Sequence, residues 1–284
     1  MDVRRFALWH RSGDLPPYLA PAVEEAGFAR LWLGSATGDL AAAEAALRTT
    51  TELRVASGIV NVWRDDARTV AASFHRLEER YPGRFLLGIG AGHPEATPGW
   101  GKPYEALSRY LDVLDEQGVP AERRVLAALG PRVLALARDR SAGAHPYLVT
   151  PEHTRQARAI LGPDRLLVPE HKAVLLADPV AARAVGRPKV ATPYLGLVNY
   201  RANLRRLGFT DDDLAGGGSD RLIDALVAHG TPDLVADRLA GHLDAGADEV
   251  AVQLLTAGPD DDLRPALDTL AAALREYDTD VTDA

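Results

Sequence analysis

Two histidines stand where apolar, β-type runs of the sequence end. His10 closes the run that begins at Phe6, and His93 follows the run that begins at Phe85. A neutral imidazole can accept or donate a proton near pH 7, so each residue is a candidate general acid or base. The alternative for each is a structural histidine whose hydrogen bonds are satisfied within the fold.

A short glycine-containing turn, Gly90-Ala91-Gly92, lies directly before His93. Residues without bulky side chains let a flat ligand approach the backbone closely, which makes the turn a candidate ligand contact. The same three residues are also typical of an ordinary tight turn between a strand and a helix.

A second candidate ligand contact is Gly130-Pro131-Arg132, which opens a predicted helix directly after a strand. Free backbone amides, the helix dipole and the arginine charge can together attract a phosphate at such a point. Proline supplies no amide, and a Gly-Pro helix start often serves only as a turn.

Several well-known catalytic signatures are missing from the sequence. It contains no GxSxG, GxxxxGK[ST] or HExxH motif, and in GIGAGH (88–93) His93 replaces the third glycine of a dinucleotide-binding fingerprint. The eight histidines lack metal-ligand spacing, and there is no cysteine. We therefore predict no metal site, no disulfide and no cysteine nucleophile.

The composition limits the classes of partner. With 40 acidic and 32 basic residues the formal charge is -8, which argues against broad attraction to nucleic acid or anionic membranes. No segment reads as a secretory leader or a membrane span. We expect a cytoplasmic protein that acts on a small-molecule substrate.

Apolar β-type runs alternate with helical patterns along the whole chain, which indicates βαβ units and a parallel sheet. Eight such runs favour a closed (β/α)₈ TIM barrel over an open doubly wound sheet, so we predict one domain over 1–284 with a loose tail at 277–284. The predicted strands are Phe6–His10, Arg30–Ser35, Arg54–Asn61, Phe85–Gly90, Arg124–Leu129, Pro146–Thr150, Lys172–Leu176 and Val250–Leu255.

The predicted connections include one irregular excursion. Apolar residues from Ala67 to Tyr81 recur with helical spacing and predict an amphipathic helix. Between the seventh and eighth strands, the segment 178–220 contains Pro188, Pro193 and three consecutive glycines, which should interrupt a helix. This excursion is either a wall of the active site or a surface connection.

In a TIM barrel the active site is built at the carboxyl ends of the strands. That rule selects Trp9, Trp32 and Trp63 as a possible aromatic wall, with core packing as the alternative. The smaller and polar residues that it selects beside the two histidines are Ser35, Asn61, Gly90, Ala91, Gly92, Gly130, Arg132, Gly143 and His145.

The order of several motifs resembles the luciferase-like monooxygenase superfamily. SGIVNVWRDD (57–66) and PGRFLLGIGAGHPE (82–95) are similar to its third and fourth strand regions. The segment 124–154, together with NYRANLRRLGF and DDLAGGGSDRL, resembles an actinobacterial branch described as dependent on coenzyme F420.

This resemblance implies a barrel that holds a deazaflavin or flavin flat against the third strand, with a cis peptide at Gly58-Ile59. It implies cofactor phosphate near Gly130 and Arg132, and proton transfer by His10 and His93. The cofactor-binding residues that follow from it are Ser35, Gly58, Ile59, Asn61, Gly90, Ala91, Gly92, Gly130, Arg132, Gly143 and His145.

The activity implied by the resemblance is hydride transfer between F420 and a small organic substrate. The alternatives are an FMN-dependent monooxygenase that uses reduced flavin and O₂, and a cofactor-binding barrel without catalysis. A homodimer is common among such proteins, and nothing in this sequence decides the oligomeric state.

Overall fold

The computed structural model describes residues 2–93, 101–258 and 261–277. Apart from Tyr277, the expected tail at 277–284 lies outside the described residues, as do residues 94 and 95 of the motif at 82–95. The strands are β1 (Phe6–Arg11), β2 (Arg30–Gly34), β3 (Arg54–Ser57), β4 (Val60–Asn61), β5 (Phe85–Gly90), β6 (Arg124–Leu126), β7 (Gly143–Ala144), β8 (Leu166–Leu167), β9 (Glu170–Val174), β10 (Val227–His229) and β11 (Val250–Leu254).

Helices follow most of these strands and cover the outside of the sheet. They are α1 (Leu19–Glu25), α2 (Ala41–Arg48), α3 (Ala67–Arg80), α4 (Pro103–Glu116), α5 (Pro131–Arg140), α6 (Pro151–Leu161), α7 (Pro179–Ala191), α8 (Val198–Arg206), α9 (Asp211–Leu214), α10 (Asp220–Leu226), α11 (Pro232–Asp244) and α12 (Arg264–Glu276). The helix predicted from Ala67 is confirmed, and the Asp66 side chain caps it by accepting from the Thr69 amide at 3.0 Å.

The strands pair in parallel in the order β10-β9-β11-β1-β2-β3-β5-β6-β7-β8, and β4 also pairs with β5. The two ends of this path meet in the chain, because β8 ends at Leu167 and β9 begins at Glu170. Between them, the Val168 amide donates to Ala144 on one side, and Pro169 accepts from Ala251 on the other. We call one strand position around the barrel a stave: β3 with β4 forms one stave, β8 with β9 forms another, and β10 is an additional strand beside β9. The predicted eight-stranded parallel barrel is therefore confirmed.

Alternation along β1 separates the inside of the barrel from the helix layer. Ala7 and Trp9 pack in a cluster with Trp32 inside the barrel. Phe6 and Leu8 belong instead to the large apolar core between sheet and helices. Since successive side chains of a strand point to opposite faces, the register of β1 decides which residues can reach the barrel mouth.

The strand predictions were wrong around the sixth stave. The strand there is Gly143–Ala144, and 146–150 forms no strand. Pro146 has no amide to donate to a ladder, Leu148 has a left-handed backbone with φ 55°, and Thr150 caps α6. The short strands β8 and β10 were not predicted, and the third stave is divided at Gly58-Ile59, whose peptide bond is cis as the resemblance implied.

The excursion between β9 and β10 is mostly helical, and it has an apolar core of its own. In this core Leu195, which lies between α7 and α8, packs with Leu204 of α8, Ile223 of α10, and Val174 and Val227 of the sheet. The expectation that Pro188 interrupts the helix was wrong, because Pro188 lies inside α7. Proline keeps the helical φ and removes one hydrogen bond, which the surrounding packing tolerates here.

Candidate active site

A cavity of about 410 Å³ opens at the carboxyl ends of the staves, within the size range of small-molecule sites. Trp9 of β1 and residues that follow β2, β3, β5 and β6 line it, and the excursion adds one wall. Nine of the predicted site residues line this cavity: Ser35, Gly58, Ile59, Asn61, Ala91, Gly92, His93, Gly130 and His145.

The floor of the cavity is built where two tryptophans and a histidine converge on Gly58. A methyl group at Gly58 would lie 3.1 Å from Trp9 Nε1, 3.2 Å from His145 Nε2 and 3.4 Å from Trp32 Cε3. The His145 ring stacks on Trp32 with centroids 3.9 Å apart and an interplanar angle of 15°. A side chain at position 58 would therefore require these rings to shift by a few tenths of an ångström.

His145 is held in one neutral tautomer. Its Nδ1 lies 2.7 Å from the Val168 carbonyl oxygen, which can only accept, so Nδ1 carries the proton and Nε2 is an acceptor. Burial is the main cause that lowers the pKa of His145 to about 4, with a smaller contribution from the Arg30 charge. At neutral pH the cavity floor therefore presents an uncharged acceptor nitrogen.

Two polar atoms of this floor fit the edge of a planar heterocycle. His145 Nε2 and Trp9 Nε1 are buried and have no hydrogen-bond partner within the described part of the chain. One is an acceptor and the other a donor, so together they match a ligand edge that carries both an N–H and a carbonyl oxygen. Ala91 and Gly92 have small side chains or none and line the cavity with the apolar Ile59, so a flat ring can lie against them. The residues present therefore fit a flavin or deazaflavin.

His93 follows β5 and contacts the cavity wall that the excursion supplies. Its Nδ1 is 3.2 Å from Asn199 Nδ2, and its ring centroid is 5.3 Å from that of Tyr200. An amide nitrogen can only donate, so Nδ1 accepts and the neutral ring carries its proton on Nε2. Rotating the amide by half a turn would place Asn199 Oδ1 against Nδ1 and support the other tautomer.

A buried ion pair lies next to Tyr147, one of the aromatic residues of the cavity lining. Lys172 Nζ is 2.9 Å from Glu170 Oε1, and both side chains are fully buried. The ammonium also donates to the hydroxyl of Tyr147 at 3.0 Å, and that hydroxyl donates to Gln253 at 2.8 Å. Burial and the neighbouring Glu170 carboxylate raise the pKa of Tyr147 well above its usual value. The network fixes the Tyr147 ring, which lines the cavity beside Trp9.

The first turn of α5 forms the opposite wall. Gly130, which caps α5, and Val133 both line the cavity, and no atom lies within 4 Å of the Cβ position at Gly130. The helix start therefore faces open space that an anion can enter.

Comparison with known families agrees with this geometry. Residues 17–117 match the family model of the luciferase-like monooxygenases. The fold is a luciferase-like TIM barrel. No curated protein sequence matches the chain significantly.

Solved structures share the fold over nearly the whole chain. An F420-dependent secondary alcohol dehydrogenase has a TM-score of 0.72 at 14% identity, covering 96% of this chain and 98% of its own. The F420-dependent tetrahydromethanopterin reductase of Methanopyrus kandleri has a TM-score of 0.68 at 17% identity, with coverage of 96% and 98%. The FMN complex of the oxygenating constituent of 3,6-diketocamphane monooxygenase from Pseudomonas putida has a TM-score of 0.67 at 15% identity, with coverage of 96% and 97%.

Within this luciferase-like barrel, His10 does not line the cavity, contrary to the prediction from the sequence. It is absent from the cavity lining, and its Nδ1 is 2.8 Å from the neighbouring Arg11 carbonyl oxygen. The reason is the pleat of β1: Trp9 points into the barrel, so His10 points to the helix layer. The prediction that His10 faces the cavity was wrong.

Three predicted cofactor contacts also lie outside the cavity lining. The Arg132 guanidinium is exposed and stacks on Tyr104, 4.8 Å from the ring centroid. Gly90 leaves space for Ile59, whose Cγ1 would lie 2.9 Å from an added Cβ. Gly143 is a close contact between strands, because an added Cβ would lie 1.8 Å from the Leu166 carbonyl oxygen.

Replacing Gly143 by alanine should therefore destabilise the barrel rather than act on a ligand. Its φ of 157° and the clash with the Leu166 backbone force β7 and β8 apart, with an expected loss of about 2 to 3 kcal/mol in the free energy of unfolding. Urea unfolding measures this. Gly13→Ala is the matched control, since nothing lies within 4 Å of its Cβ position, and it should change stability by less than about 0.5 kcal/mol. Equal stability of the two variants would contradict the packing role of Gly143.

Five polar or aromatic residues of the lining were not predicted. They are Arg64, Tyr147, Tyr194, Asn199 and Tyr200. Two of the tyrosines belong to the excursion, whose role as a site wall the structure favours over a plain surface connection. Their positions depend on long-range packing, for which the sequence carried no local signal.

The described residues include no group of three or more histidine, cysteine or acidic side chains arranged to hold a metal ion. Among the helices described, none is long and apolar enough to cross a membrane.

Proposed function

We propose that this chain is an F420-dependent oxidoreductase that catalyses hydride transfer between C5 of the deazaflavin and a carbon of a small organic substrate. The observation that carries the proposal is the cavity itself. Its floor offers an unpartnered donor and acceptor at Trp9 Nε1 and His145 Nε2, and its wall holds His93. The resemblance of segment 124–154 to the F420-dependent branch supports the choice of cofactor.

In this proposal Ile59, Ala91 and Gly92 would hold the cofactor ring, and the Trp9 and His145 nitrogens would bind its polar edge. The start of α5 at Gly130 would bind its anionic tail, since the helix dipole favours negative charge. When bound, the deazaflavin supplies or accepts a hydride. The aromatic residues Trp9, Tyr147 and Tyr194 exclude water from the reacting carbon, as hydride transfer requires.

His93 carries the proton that balances the hydride. In the oxidation of an alcohol, the substrate loses a hydride from carbon and a proton from oxygen, and a carbonyl group forms. The imidazole accepts that proton, and in the reverse direction it donates the proton to the carbonyl oxygen. The neutral ring accepts the substrate proton at Nε2 in the tautomer whose Nδ1–H donates to Asn199 Oδ1, so Asn199, with its amide turned to that side, is a positioning residue.

The proposal is tested by titrating the purified full-length protein with F420 and with FMN separately, followed by fluorescence quenching. We expect saturable F420 binding and anaerobic turnover of F420 with at least one member of a panel of alcohols, aldehydes and enones. Tight FMN binding without F420 binding would overturn the proposal. It would favour a monooxygenase, a reaction class found among the FMN-bound structural neighbours. F420 binding without turnover over the whole panel would favour a binding protein.

Charge at the start of α5 should control cofactor affinity. Gly130→Asp places a carboxylate at the N-cap of α5, which favours the helix but repels an anionic tail. We expect the Kd for F420 to rise at least about tenfold, since a like charge within a few ångströms costs more than about 1.4 kcal/mol in a partly buried site. Gly130→Asn has the same shape without the charge, and it should stay within about threefold of the parent. Equal losses in both variants would indicate steric blocking and contradict phosphate binding at this helix.

A further inference from the structure

The far side of the cavity carries a second set of hydrogen-bond donors, distinct from the floor and from α5. Ser35 follows β2, Asn61 ends β4, and Arg64 follows three residues later; all three line the cavity. We call these three residues the polar corner. The Arg64 amide donates to the Asn61 carbonyl oxygen at 3.1 Å, so the loop that carries them is a single hydrogen-bonded unit.

The side chains of the polar corner are oriented for donation. Asn61 Oδ1 accepts from the Trp63 amide at 2.9 Å, which leaves its NH₂ group as the side available to a ligand. Arg64 donates through Nε to Asp65 at 2.9 Å and through Nη2 to the Ala36 carbonyl oxygen, so the guanidinium plane is fixed from behind. Among the hydrogen bonds of the described residues, none uses Arg64 Nη1.

The charge of the lining is positive although the chain carries -8. Within the described lining, Arg64 has the only permanent charge, and no aspartate or glutamate is present. Asp65 pairs with the rear edge of the guanidinium at 2.8 Å and is itself held by the Gly38 amide. A small anion at the front edge would therefore meet a preorganised arginine without a competing carboxylate in the cavity.

The polar corner lies away from the place proposed for the anionic tail of the cofactor. It stands at the ends of β2 and β4, whereas α5 follows β6, and the end of β5 with Ala91 and Gly92 separates the two. One cavity therefore has two sites for negative charge, separated by Ala91 and Gly92. The anionic tail of the cofactor would occupy the site at α5, so the polar corner can bind a second molecule.

We propose that the polar corner binds a carboxylate of the substrate, so that the substrate class is small organic acids. This inference rests on the proposed function, because the bound acid is a substrate only if the chain is an enzyme. Guanidinium binds carboxylate in a charge-assisted, often bidentate manner, and the Ser35 hydroxyl and Asn61 amide can complete the hydrogen bonds of its oxygens.

The test uses benzoate as the probe and benzamide as its neutral counterpart, measured by calorimetric titration of the full chain without cofactor. We expect the parent protein to bind benzoate more tightly than benzamide, and Arg64→Gln to weaken benzoate binding at least about tenfold while benzamide is unchanged. Arg11→Gln is the matched control: Arg11 ends β1, is exposed, and is absent from the lining. It should leave benzoate affinity within about twofold.

Three results would overturn the proposal: no preference for benzoate, equal losses in the Arg64 and Arg11 variants, or equal losses of benzoate and benzamide. A separate F420 titration distinguishes the sources of the anion. If Arg64→Gln weakens F420 binding and leaves benzoate binding intact, the polar corner belongs to the cofactor and the proposal is wrong. If neither F420 nor FMN binds while benzoate binding depends on Arg64, the proposed function fails and the carboxylate site stands.

Discussion

Replacing His93 by asparagine should lower kcat for F420-dependent turnover by about 100-fold or more, the usual contribution of a positioned proton carrier. His93 lines the cavity and is oriented by Asn199, so its loss removes the group that exchanges a proton with the substrate oxygen. The Kd for F420 should stay close to that of the parent, because the floor and α5 are unchanged. Steady-state kinetics and a cofactor titration measure the two quantities.

The matched control is His10→Asn. His10 points to the helix layer and forms its hydrogen bond within β1, so kcat should change by less than about threefold. A loss in the His10 variant equal to that in the His93 variant would contradict the assignment. Unchanged turnover in both variants would show that neither histidine is catalytic.

The pH dependence separates a proton carrier from a structural residue. If His93 carries the proton, the ionisation that limits kcat in the parent should disappear in His93→Asn. Asn199→Asp tests the positioning role, because a carboxylate beside Nδ1 stabilises the charged imidazole and should move that ionisation to higher pH. A purely structural role would lower kcat without moving the profile.

The periodicity of the sequence was sufficient to predict the barrel. Apolar runs at Phe6, Arg30 and Phe85 alternate with amphipathic helices such as that from Ala67 to Arg80, and all of these elements are present. Local patterns work here because each run must bury one or both of its faces against neighbours, whatever the rest of the chain does.

The same patterns could not decide which of two adjacent residues faces the cavity. Trp9 and His10 differ by one position, and a shift of one residue exchanges the two faces of a strand. The structure decides the alternation, because Ala7 and Trp9 pack with Trp32 inside the barrel. An apolar residue that faces a site gives no local signal that distinguishes it from one in the helix layer.

The sequence could not distinguish ligand-contacting glycines from packing glycines, for a related reason. Gly58, Gly130 and Gly143 were all assigned to cofactor contact, yet only the first two line the cavity. Gly143 is needed because the Leu166 backbone passes within contact distance, and that neighbour comes from the following stave. Close approach of backbone and close approach of ligand require the same residue type.

The second large effect expected is a loss of stability between pH 7 and pH 5. Five of the described histidines are buried, and four of them matter here: His145 inside the barrel, and His153, His171 and His242 among β9, α6 and α11. Burial lowers the pKa of His145 and of His171 to about 4, and it lowers those of His153 and His242 as well. In the unfolded chain these rings have ordinary values near 6.5.

The hydrogen bonds explain why the buried rings stay neutral. His171 Nδ1 lies 2.9 Å from His242 Nε2, and His242 Nδ1 lies 2.8 Å from Thr154 Oγ1, which donates to Thr150. A proton added at His242 Nε2 would place that N–H against the Nδ1–H of His171. The nearby charges are also unfavourable, since Lys172 and Arg238 lower the pKa of His171 and Arg30 lowers that of His145.

Because the folded pKa values lie below the unfolded ones, this stability is fully present above pH 6.5 and is lost as pH falls from about 6.5 to about 4. At pH 5, His145 alone should account for a loss of about 2 kcal/mol, and the other three add to it in the same direction. Carboxylates such as Asp213, Asp224 and Asp262, with pKa values of about 2, remain ionised over this range. These three carboxylates therefore do not contribute to the loss between pH 7 and pH 5.

Urea unfolding at both pH values measures the effect, and two variants assign it. His145→Gln should be less stable than the parent at pH 7, because it loses the stack on Trp32 and the bond to Val168. Its stability should nevertheless fall by about 2 kcal/mol less than that of the parent on going to pH 5. The control His75→Gln changes an exposed ring and should keep the parent slope. A parent free energy of unfolding that is equal at pH 7 and pH 5 would show that protonated histidines are tolerated inside this barrel.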